Sequence, residues 1–336
     1  MRLIPKYLLS SVVLGFILVF SLYIVPFSGN VTVVLGRGLG GELGKKGTSS
    51  DVTLYNSKVG DVILSFVEPT SYPDKVQSLL SSLNMADQAL LRADALDASL
   101  AESVVALDLA GLSMGYVIYG GSVSPDALKP LLAGTVVASY VVVEDQPMAV
   151  KEKLASLDVK KDGPVVVQVD HSFPVKGVGT VALGVVKQGV LRRHDNLVIL
   201  PQKMKVLAKS IQVHDVDVEE ARTGLRVGVA LKDVRPEDIP RGSLLSADGS
   251  IPVVKELEVK AALSKYSQRP LGVGDLFSVD SCLNYVPAKV VSGSVDRGGA
   301  GMLKLALEKE IPVLGGRVVF LDPGQKPPRV FGFGLI

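Results

Sequence analysis

The 336-residue sequence contains no tryptophan, a single cysteine and only three histidines. One cysteine, Cys282, excludes an internal disulfide and any metal site built from several thiolates. We predict that Cys282 is a small buried apolar residue and not a reactive thiol. The histidines, His171, His194 and His214, are too far apart for a metal-binding motif. We therefore expect each histidine to be a surface or packing residue, and we expect no bound metal.

Hydrophobic residues make up 47% of the chain and charged residues 21%, which is typical of a protein with a sizeable buried core. The net charge is only +2, but it is unevenly distributed. Residues 31–158 carry 9 basic and 15 acidic side chains, whereas residues 159–336 carry 25 basic and 19 acidic ones. This difference indicates at least two modules, of which the basic one is the better candidate to contact RNA or another polyanion. Ordinary surface charge that maintains solubility is an equally good explanation.

An uncharged run of 21 residues extends from Tyr7 to Phe27. A helix of this length could span a bilayer, and Arg2 and Lys6 precede it as in a signal anchor or signal peptide. The alternative is that residues 1–30 are leader sequence added by a wrongly assigned start, because a compact domain begins abruptly at Val31. The first explanation predicts a membrane-associated protein, and the second predicts a purely cytoplasmic one.

Residues 31–158 show the alternation of strands and helices that is typical of an α/β domain. Helical periodicity is clear in 73–86 and 100–110, and 147–157 is predicted to be a last helix before a linker at 158–164. Short apolar strands between these helices predict a mostly parallel sheet covered by helices. The predicted strands are Val31–Leu35, Val62–Phe66, Ala89–Ala93, Gly115–Tyr119 and Val136–Val143.

Beyond the linker the pattern becomes all-β. Short apolar runs recur about every eight to twelve residues between Gly, Pro and Asp, a spacing that is typical of barrels and sandwiches. A second break at 246–252 divides this part of the chain in two. We therefore predict one β domain at 163–248 and another at 252–336.

The most informative motif lies at 169–201, where VDHSFPVKGVGTVALG is followed by VVKQGVLRRHDNLVILP. Together with KSIQVHDVDVEEARTGLRVGVALKDV from Lys209 and IPRGSLL from Ile239, it resembles the second domain of elongation factor Tu and its relatives, a β-barrel. Barrel corners need glycine where φ is positive or where backbones approach closely. The residues that match the family pattern are Gly177, Gly179, Thr180, Gly184, Gly189, Gly224, Gly228 and Gly242.

The sequence GLRVG at 224–228 is closer to the selenocysteine-specific elongation factor than to elongation factor Tu itself. Residues 253–336 end in RVFGFGLI and are similar to the third domain of the family, another barrel. The resemblance covers essentially all of 31–336. It implies a P-loop-GTPase-like α/β domain at 31–158, two β-barrels and a role in translation elongation.

The front domain departs from the family at the phosphate-binding loop, which reads GxxxxGK[ST] in GTPases. Gly36 and Gly41 have the expected spacing, but Glu42 stands at the lysine position and Leu43 at the hydroxyl position. A carboxylate there would repel phosphate, and leucine cannot bind Mg²⁺. A shift to residues 41–48 supplies two lysines, Lys45 and Lys46, but does not restore the motif. We therefore expect neither GTP nor Mg²⁺ as a cofactor.

Two further GTPase motifs are absent from the sequence. At the Asp-x-x-Gly of switch II this chain has Val67, and Glu68 could replace the Asp only if the strand end were displaced by one residue. At the Asn-Lys-x-Asp that reads guanine, the chain has YGGS at 119–122. Arg92 lies in an apolar strand and needs an acidic partner, because burying a lone guanidinium is costly. Its candidate partners are Asp94, Asp97 and Glu68.

In the family, a pocket of the second domain receives the aminoacyl end of tRNA. The resemblance places Asp170, His171 and Phe173 on the first strand of this pocket and Arg226 on a later loop. Arg226 could contact a phosphate, a ribose or a negatively charged aminoacyl group, while Phe173 could equally be a core residue. Nearby lysines form either a phosphate contact or a solvated strand face. They are Lys203, Lys205 and Lys209.

Three functions are consistent with the sequence. The first is an elongation-factor-like protein that binds tRNA or the ribosome without hydrolysing GTP, and is therefore not an enzyme. The second is an active GTP-binding translation factor with atypical loops. The third is a scaffold for protein interactions that is tethered to a membrane through residues 7–27.

Overall fold

A computed structural model describes residues 27–121 and 123–336 of the chain. Its front part contains a seven-stranded sheet. The strands are β1 (Ser28–Leu35), β2 (Lys45–Ser49), β3 (Thr53–Val59), β4 (Val62–Glu68), β5 (Gln88–Ala93), β6 (Gly115–Tyr119) and β7 (Val141–Val142). Their order in the sheet is β2-β3-β4-β1-β5-β6-β7. Strands β4, β1, β5, β6 and β7, which are neighbours in this order, are parallel. Strands β2 and β3 add an antiparallel hairpin at one edge.

Helices cover both faces of this sheet. They are α1 (Leu39–Leu43), α2 (Val76–Met85), α3 (Ala98–Ala110), α4 (Pro125–Leu132) and α5 (Pro147–Ala155). Apolar side chains of α2, α3 and α4 pack in one core with β1 and β5, and α1 and α5 pack on the opposite face. The side chain of Asp97 caps α3 by accepting from Leu100 N, and Gly111 ends that helix with a φ of 73°.

The predicted α/β domain followed by two β-barrels is confirmed, but the prediction of one strand at 136–143 is wrong. Residues Val136–Ser139 form a turn of 3₁₀-helix, and only Val141–Val142 pairs with β6. The side chain of Asp108 accepts a hydrogen bond from Val136 N at 2.8 Å, and Tyr140 packs against Gly115. These contacts shape the segment in a way that its apolar composition does not reveal.

The second domain is a barrel built from most of its nine strands. They are β8 (Val166–Val175), β9 (Gly179–Gln188), β10 (Val190–Arg192), β11 (Asn196–Leu200), β12 (Met204–Val213), β13 (Val216–Val218), β14 (Glu220–Arg222), β15 (Arg226–Lys232) and β16 (Leu244–Ser246). The sheet runs β11-β16-β8-β9-β15-β12-β13, and the additional pairing of β11 with β12 closes it. A separate ribbon pairs β10 with β14. The interior is filled mainly by Val, Leu and Ile side chains.

The third domain is a closed barrel in the order β17-β20-β19-β18-β21-β22. Its strands are β17 (Val253–Leu263), β18 (Leu276–Ser281), β19 (Asn284–Ser292), β20 (Ala300–Pro312), β21 (Arg317–Leu321) and β22 (Val330–Leu335). Phe277 packs edge-on against Phe320 and Phe331, with ring centroids 5.0 and 5.7 Å apart. Cys282 is buried in an apolar cluster between the two barrels, which confirms the prediction of a packing role, and burial raises the pKa of its thiol.

A buried ion pair joins the front domain to the third barrel. Glu102 on α3 is 1% exposed and accepts from Arg329 Nε at 3.1 Å and from Arg329 Nη2 at 2.6 Å. Val319, Leu321 and Val330 of the third barrel belong to the same apolar core as the helices of the front domain. The two domains are thus packed as parts of one structure.

The hydrophobic run from Tyr7 lies outside the described residues except for Phe27, which packs against the core of the second domain and lies 5.1 Å from Lys58 Nζ. Within residues 27–121 and 123–336, every helix is too short or too polar to cross a bilayer.

We expect Glu102→Gln to lower the free energy of unfolding by about 3–5 kcal/mol, because the substitution leaves a buried guanidinium without a counter-charge. Urea unfolding at neutral pH measures the effect. The matched control is Glu308→Gln, on an exposed position of β20, which should change stability by less than about 0.5 kcal/mol. Equal stabilities of the two variants would contradict the role assigned to the pair.

Asp280 lies at the same interface, in a cavity of about 180 Å³ that Asn84, Leu80 and Arg317 also line. Burial raises the pKa of Asp280 to about 7, against the opposing effects of a hydrogen bond from Asn84 and the positive charge of Arg241. The folded chain therefore holds this proton more tightly than the unfolded chain, in which the carboxyl titrates near 3.8.

We expect Asp280 to reduce the free energy of unfolding as pH rises from about 4 to about 7, and to have no further effect above that range. The full loss is at most about 4 kcal/mol. Asp280→Asn should remove this component, so the variant should lose less stability than the wild type between pH 5 and pH 8. Parallel stability–pH curves for the two proteins would contradict the assignment.

Candidate functional site

The loop between β1 and α1 lies where the family has its phosphate-binding loop. Gly38 has a φ of 75° and precedes the first residue of α1. Its backbone N–H donates to Glu68 Oε1 at 2.8 Å, and the N–H of Gly40 donates to Glu68 Oε2 at 3.2 Å. One amide of the loop and one of the first turn of α1 are thus hydrogen-bonded to one carboxylate at the end of β4.

Arg92 occupies the middle of the same region. Its Nη1 donates to both carboxylate oxygens of Glu42, at 3.0 and 3.1 Å, and its Nη2 donates to the carbonyl oxygen of Arg37. The Nε donates to Asp94 Oδ2 at 3.3 Å, and Asp145 lies 3.9 Å from Nη1. The predicted pairing with Asp94 is confirmed. The alternative partners Asp97 and Glu68 are wrong, since Asp97 caps α3 and Glu68 binds the loop amides.

Two other positions of the family motifs hold buried apolar side chains. Leu43 is 2% exposed and packs with α5 and the sheet. Val67 is fully buried and packs against Val185 of the second barrel. Near the guanine-reading position, a Cβ added to Gly120 would lie 2.2 Å from Asp94 Oδ1, so this turn is packed against the carboxylate that binds Arg92.

A cleft of about 930 Å³ separates the β2–β3 hairpin from the second barrel. Lys45, Lys46 and Thr48 of β2 line one wall, and apolar side chains of β9, β12 and β15 contribute to the other. Further charged residues at its edge are Arg193, His214, Asp215, Asp217, Glu219 and Arg226. Glu219 neutralises Arg193 across 3.1 Å, whereas neither Lys45 nor Lys46 has a carboxylate partner within the described part of the chain.

The four predicted pocket residues lie beside this cleft, but only two of them line it. Arg226 and Phe173 face the cleft, and Arg226 Nη2 donates to Asp170 Oδ2 at 2.9 Å. Asp170 is buried behind Arg226, and His171 is exposed, with its ring centroid 5.7 Å from that of Phe173. The interpretation of Phe173 as a core residue is wrong, because the side chain is half-buried and lies outside the barrel core.

The side chains of Arg226 and Asp170 do not form all the hydrogen bonds that their polar atoms can form within the described residues. The side chains are 13% and 6% exposed, so both charges are largely removed from water. Arg226 Nε and Asp170 Oδ1 are buried and have no hydrogen-bond partner among the residues that the structure describes. Buried polar atoms normally have partners, so one donor and one acceptor of this pair are exceptions to that rule within the described part of the chain.

The remaining histidines and lysines that the sequence analysis considered as candidates are on the surface. His194 and His214 are exposed in turns with φ of 70° and 50°, as expected for surface residues. Three lysines are exposed around β12, away from the cleft lining. They are Lys203, Lys205 and Lys209.

Sequence reasoning missed the front wall of the cleft. In the sequence, Lys45 and Lys46 were interpreted only as possible substitutes for the lysine of the phosphate-binding loop. In the structure they belong to β2 and pair with β3. The Ser-Ser-Asp turn at 49–51 between two polar strands was the available signal for this hairpin.

Comparisons with known proteins agree with this architecture. The family described as elongation factor Tu domain 2 matches residues 179–246. An uncharacterized protein of Methanocaldococcus jannaschii is 38% identical over 302 residues, which is 89% of this chain and 96% of that protein. The selenocysteine-specific elongation factor of the same organism is 27% identical over 335 residues, covering 87% of this chain and 71% of that protein.

A solved structure shows the same fold. The apo form of translation elongation factor SelB from Methanococcus maripaludis superposes with a TM-score of 0.75 at 21% sequence identity. The match covers 93% of this chain and 80% of that one.

Proposed function

The chain belongs to the family of translation GTPases that contains elongation factor Tu and the selenocysteine-specific elongation factor, and we propose that it binds tRNA or the ribosome without hydrolysing GTP. The observation that carries the proposal is the cleft between the β2–β3 hairpin and the second barrel. It has Arg226 on one wall and, on the other, two lysines that have no carboxylate partner among the residues the structure describes. Two residues of its lining, Phe173 and Arg226, are among those that the family resemblance implies for the pocket of the aminoacyl end of tRNA.

The chemistry of the cleft supports an aminoacylated RNA end as its occupant. Lys45 and Lys46 supply positive charge for a phosphate backbone, and Phe173 offers an aromatic face on which a base or ribose can pack. Arg226, held by Asp170, presents a donor to a phosphate, a ribose or the aminoacyl group. A cytoplasmic location follows from this proposal, since that is where these partners are.

The contacts of the front loop support the absence of GTP hydrolysis. Glu42 stands where a lysine would neutralise phosphate, and it is engaged by Arg92 at 3.0 Å. Leu43 offers no oxygen for Mg²⁺, and Val67 cannot bind a metal-bound water. Because this donor set does not fit a nucleotide phosphate with its metal, no step of the proposed function passes through GTP.

We expect native protein recovered from its own cells to carry tRNA or ribosomal RNA in excess over a charge-matched control protein, as measured by pull-down and RNA sequencing. Arg226→Gln should lower the affinity for the recovered RNA by about tenfold or more, because a charge-assisted contact in the cleft is lost.

The matched control is Arg222→Gln, which removes an exposed arginine from β14. This control should bind nearly as tightly as the wild type. Absence of RNA enrichment, or equal losses in the two variants, would count against the cleft as the binding site.

Isothermal calorimetry tests the second half of the proposal. We expect no saturable heat when millimolar GTP and Mg²⁺ are added to the protein, because carboxylates occupy the loop region. A translation GTPase with an intact phosphate-binding loop serves as the positive control in the same buffer. Saturable binding accompanied by phosphate release would establish the alternative, an active GTPase with atypical loops.

A further inference from the structure

Glu68 has an unusual position among the acidic residues of the front domain. Both of its carboxylate oxygens are used, one by the N–H of Gly38 at 2.8 Å and the other by the N–H of Gly40 at 3.2 Å. The two amides are 30 and 28 residues away in sequence, so this single side chain connects the end of β4 to the loop before α1 and to the first turn of α1; these two amides are called the loop amides below. Neighbouring backbone N–H groups that converge on one anion form the kind of concave site that binds phosphate in other proteins.

The surroundings of Gly40 show how closely this contact is packed. A Cβ added to Gly40 would lie 2.7 Å from Glu68 Oε2 and 2.5 Å from the ring of Tyr55. Burial and the negative charge of Glu68 raise the pKa of the Tyr55 hydroxyl. The loop, the carboxylate and the tyrosine ring are therefore in mutual contact, and only glycine fits at position 40.

Tyr55 connects this group of contacts to the wall of the cleft. It lies on β3 and pairs with Lys46 of β2, and β2 forms the front wall of the cleft. The chain of contacts runs from the loop amides through Glu68 and Tyr55 to the wall. A substitution of Glu68 should therefore change the amide exchange of β2.

We propose that Glu68 is an internal anion that occupies the loop amides in place of a bound phosphate, and that it fixes the β2–β3 wall of the cleft in one position without any nucleotide. Glu68 is thus a positioning residue, since it acts on the cleft through Tyr55. The inference rests on the proposed function only for the identity of the cleft's occupant; the position of the wall does not depend on it.

Hydrogen–deuterium exchange of the full chain tests the inference. In Glu68→Ala, backbone amides of residues 36–44 and 45–58 should exchange about tenfold faster or more than in the wild type, because the loop amides lose a charged acceptor. Peptides from 253–335 should be unchanged. Glu68→Gln, which keeps one carbonyl acceptor, should give a smaller increase confined to the same residues. The control Glu310→Ala, on an exposed position of β20, should leave the loop unchanged.

Two results would overturn the inference. The first is wild-type exchange at 36–58 in Glu68→Ala. The second is slower exchange of the wild-type loop when millimolar GTP and Mg²⁺ are added. If Glu68→Ala also exchanges faster across the third barrel, the variant has lost its fold and the decision passes to Glu68→Gln, for which wild-type exchange at 36–58 overturns the inference.

The same samples separate this inference from the proposed function. Loop exchange that responds to Glu68 in a protein that binds no RNA would leave the inference standing and remove the proposed function. If the protein binds RNA but loop exchange does not change when Glu68 is substituted, the proposed function stands and this inference fails.

Discussion

The contact between Glu102 and Arg329 is the constraint on which the arrangement of the domains depends. A fully desolvated carboxylate and a nearly buried guanidinium are stable only while they remain together, so separating the front domain from the third barrel would leave each charge without its partner. The apolar side chains around the pair belong to one core that crosses the domain boundary. The cleft itself lies between the front domain and the second barrel, which have contacts of their own: an ion pair of Arg241 with Asp51 at 2.6 Å and an apolar cluster that contains Val67 and Val185.

The charged groups around the β1–α1 loop and those on the cleft walls differ in how completely they are paired. Around the β1–α1 loop of the front domain the acidic charges are satisfied internally, since Glu42 binds Arg92 and Glu68 accepts from two backbone amides. In the second barrel the Arg226–Asp170 pair keeps polar atoms without partners among the described residues, and within the same residues Lys45 and Lys46 of the hairpin have no carboxylate partner. The side chains on the cleft walls that could recognise a ligand are thus Arg226 of the second barrel and the two lysines of the front-domain hairpin.

Much of the fold could be predicted from the sequence because it depends on local signals. Glycines at barrel corners, such as Gly177 and Gly224 with φ of 81° and 87°, are dictated by backbone geometry that no other residue adopts easily. The strand at 136–143 was mispredicted because its conformation is set by Asp108, a residue far away in sequence. The β2–β3 hairpin was missed because β2 is polar and β3 interrupts its apolar residues with Asn56, Ser57 and Lys58, so neither strand shows an apolar run.

The candidate site was predictable only in part, for a related reason. Sequence showed that the phosphate-binding motif is absent, since that judgement needs only the residues from Gly36 to Leu43. It could not show that Glu68 accepts hydrogen bonds from Gly38 and Gly40, because these groups meet through the parallel pairing of β1 with β4. Nor could it assign Arg92 to Glu42, which is 50 residues away. The departure from the motif can therefore be seen in one loop of the sequence, whereas the hydrogen bonds made there by Glu68 and Arg92 become visible only when residues distant in sequence are brought together.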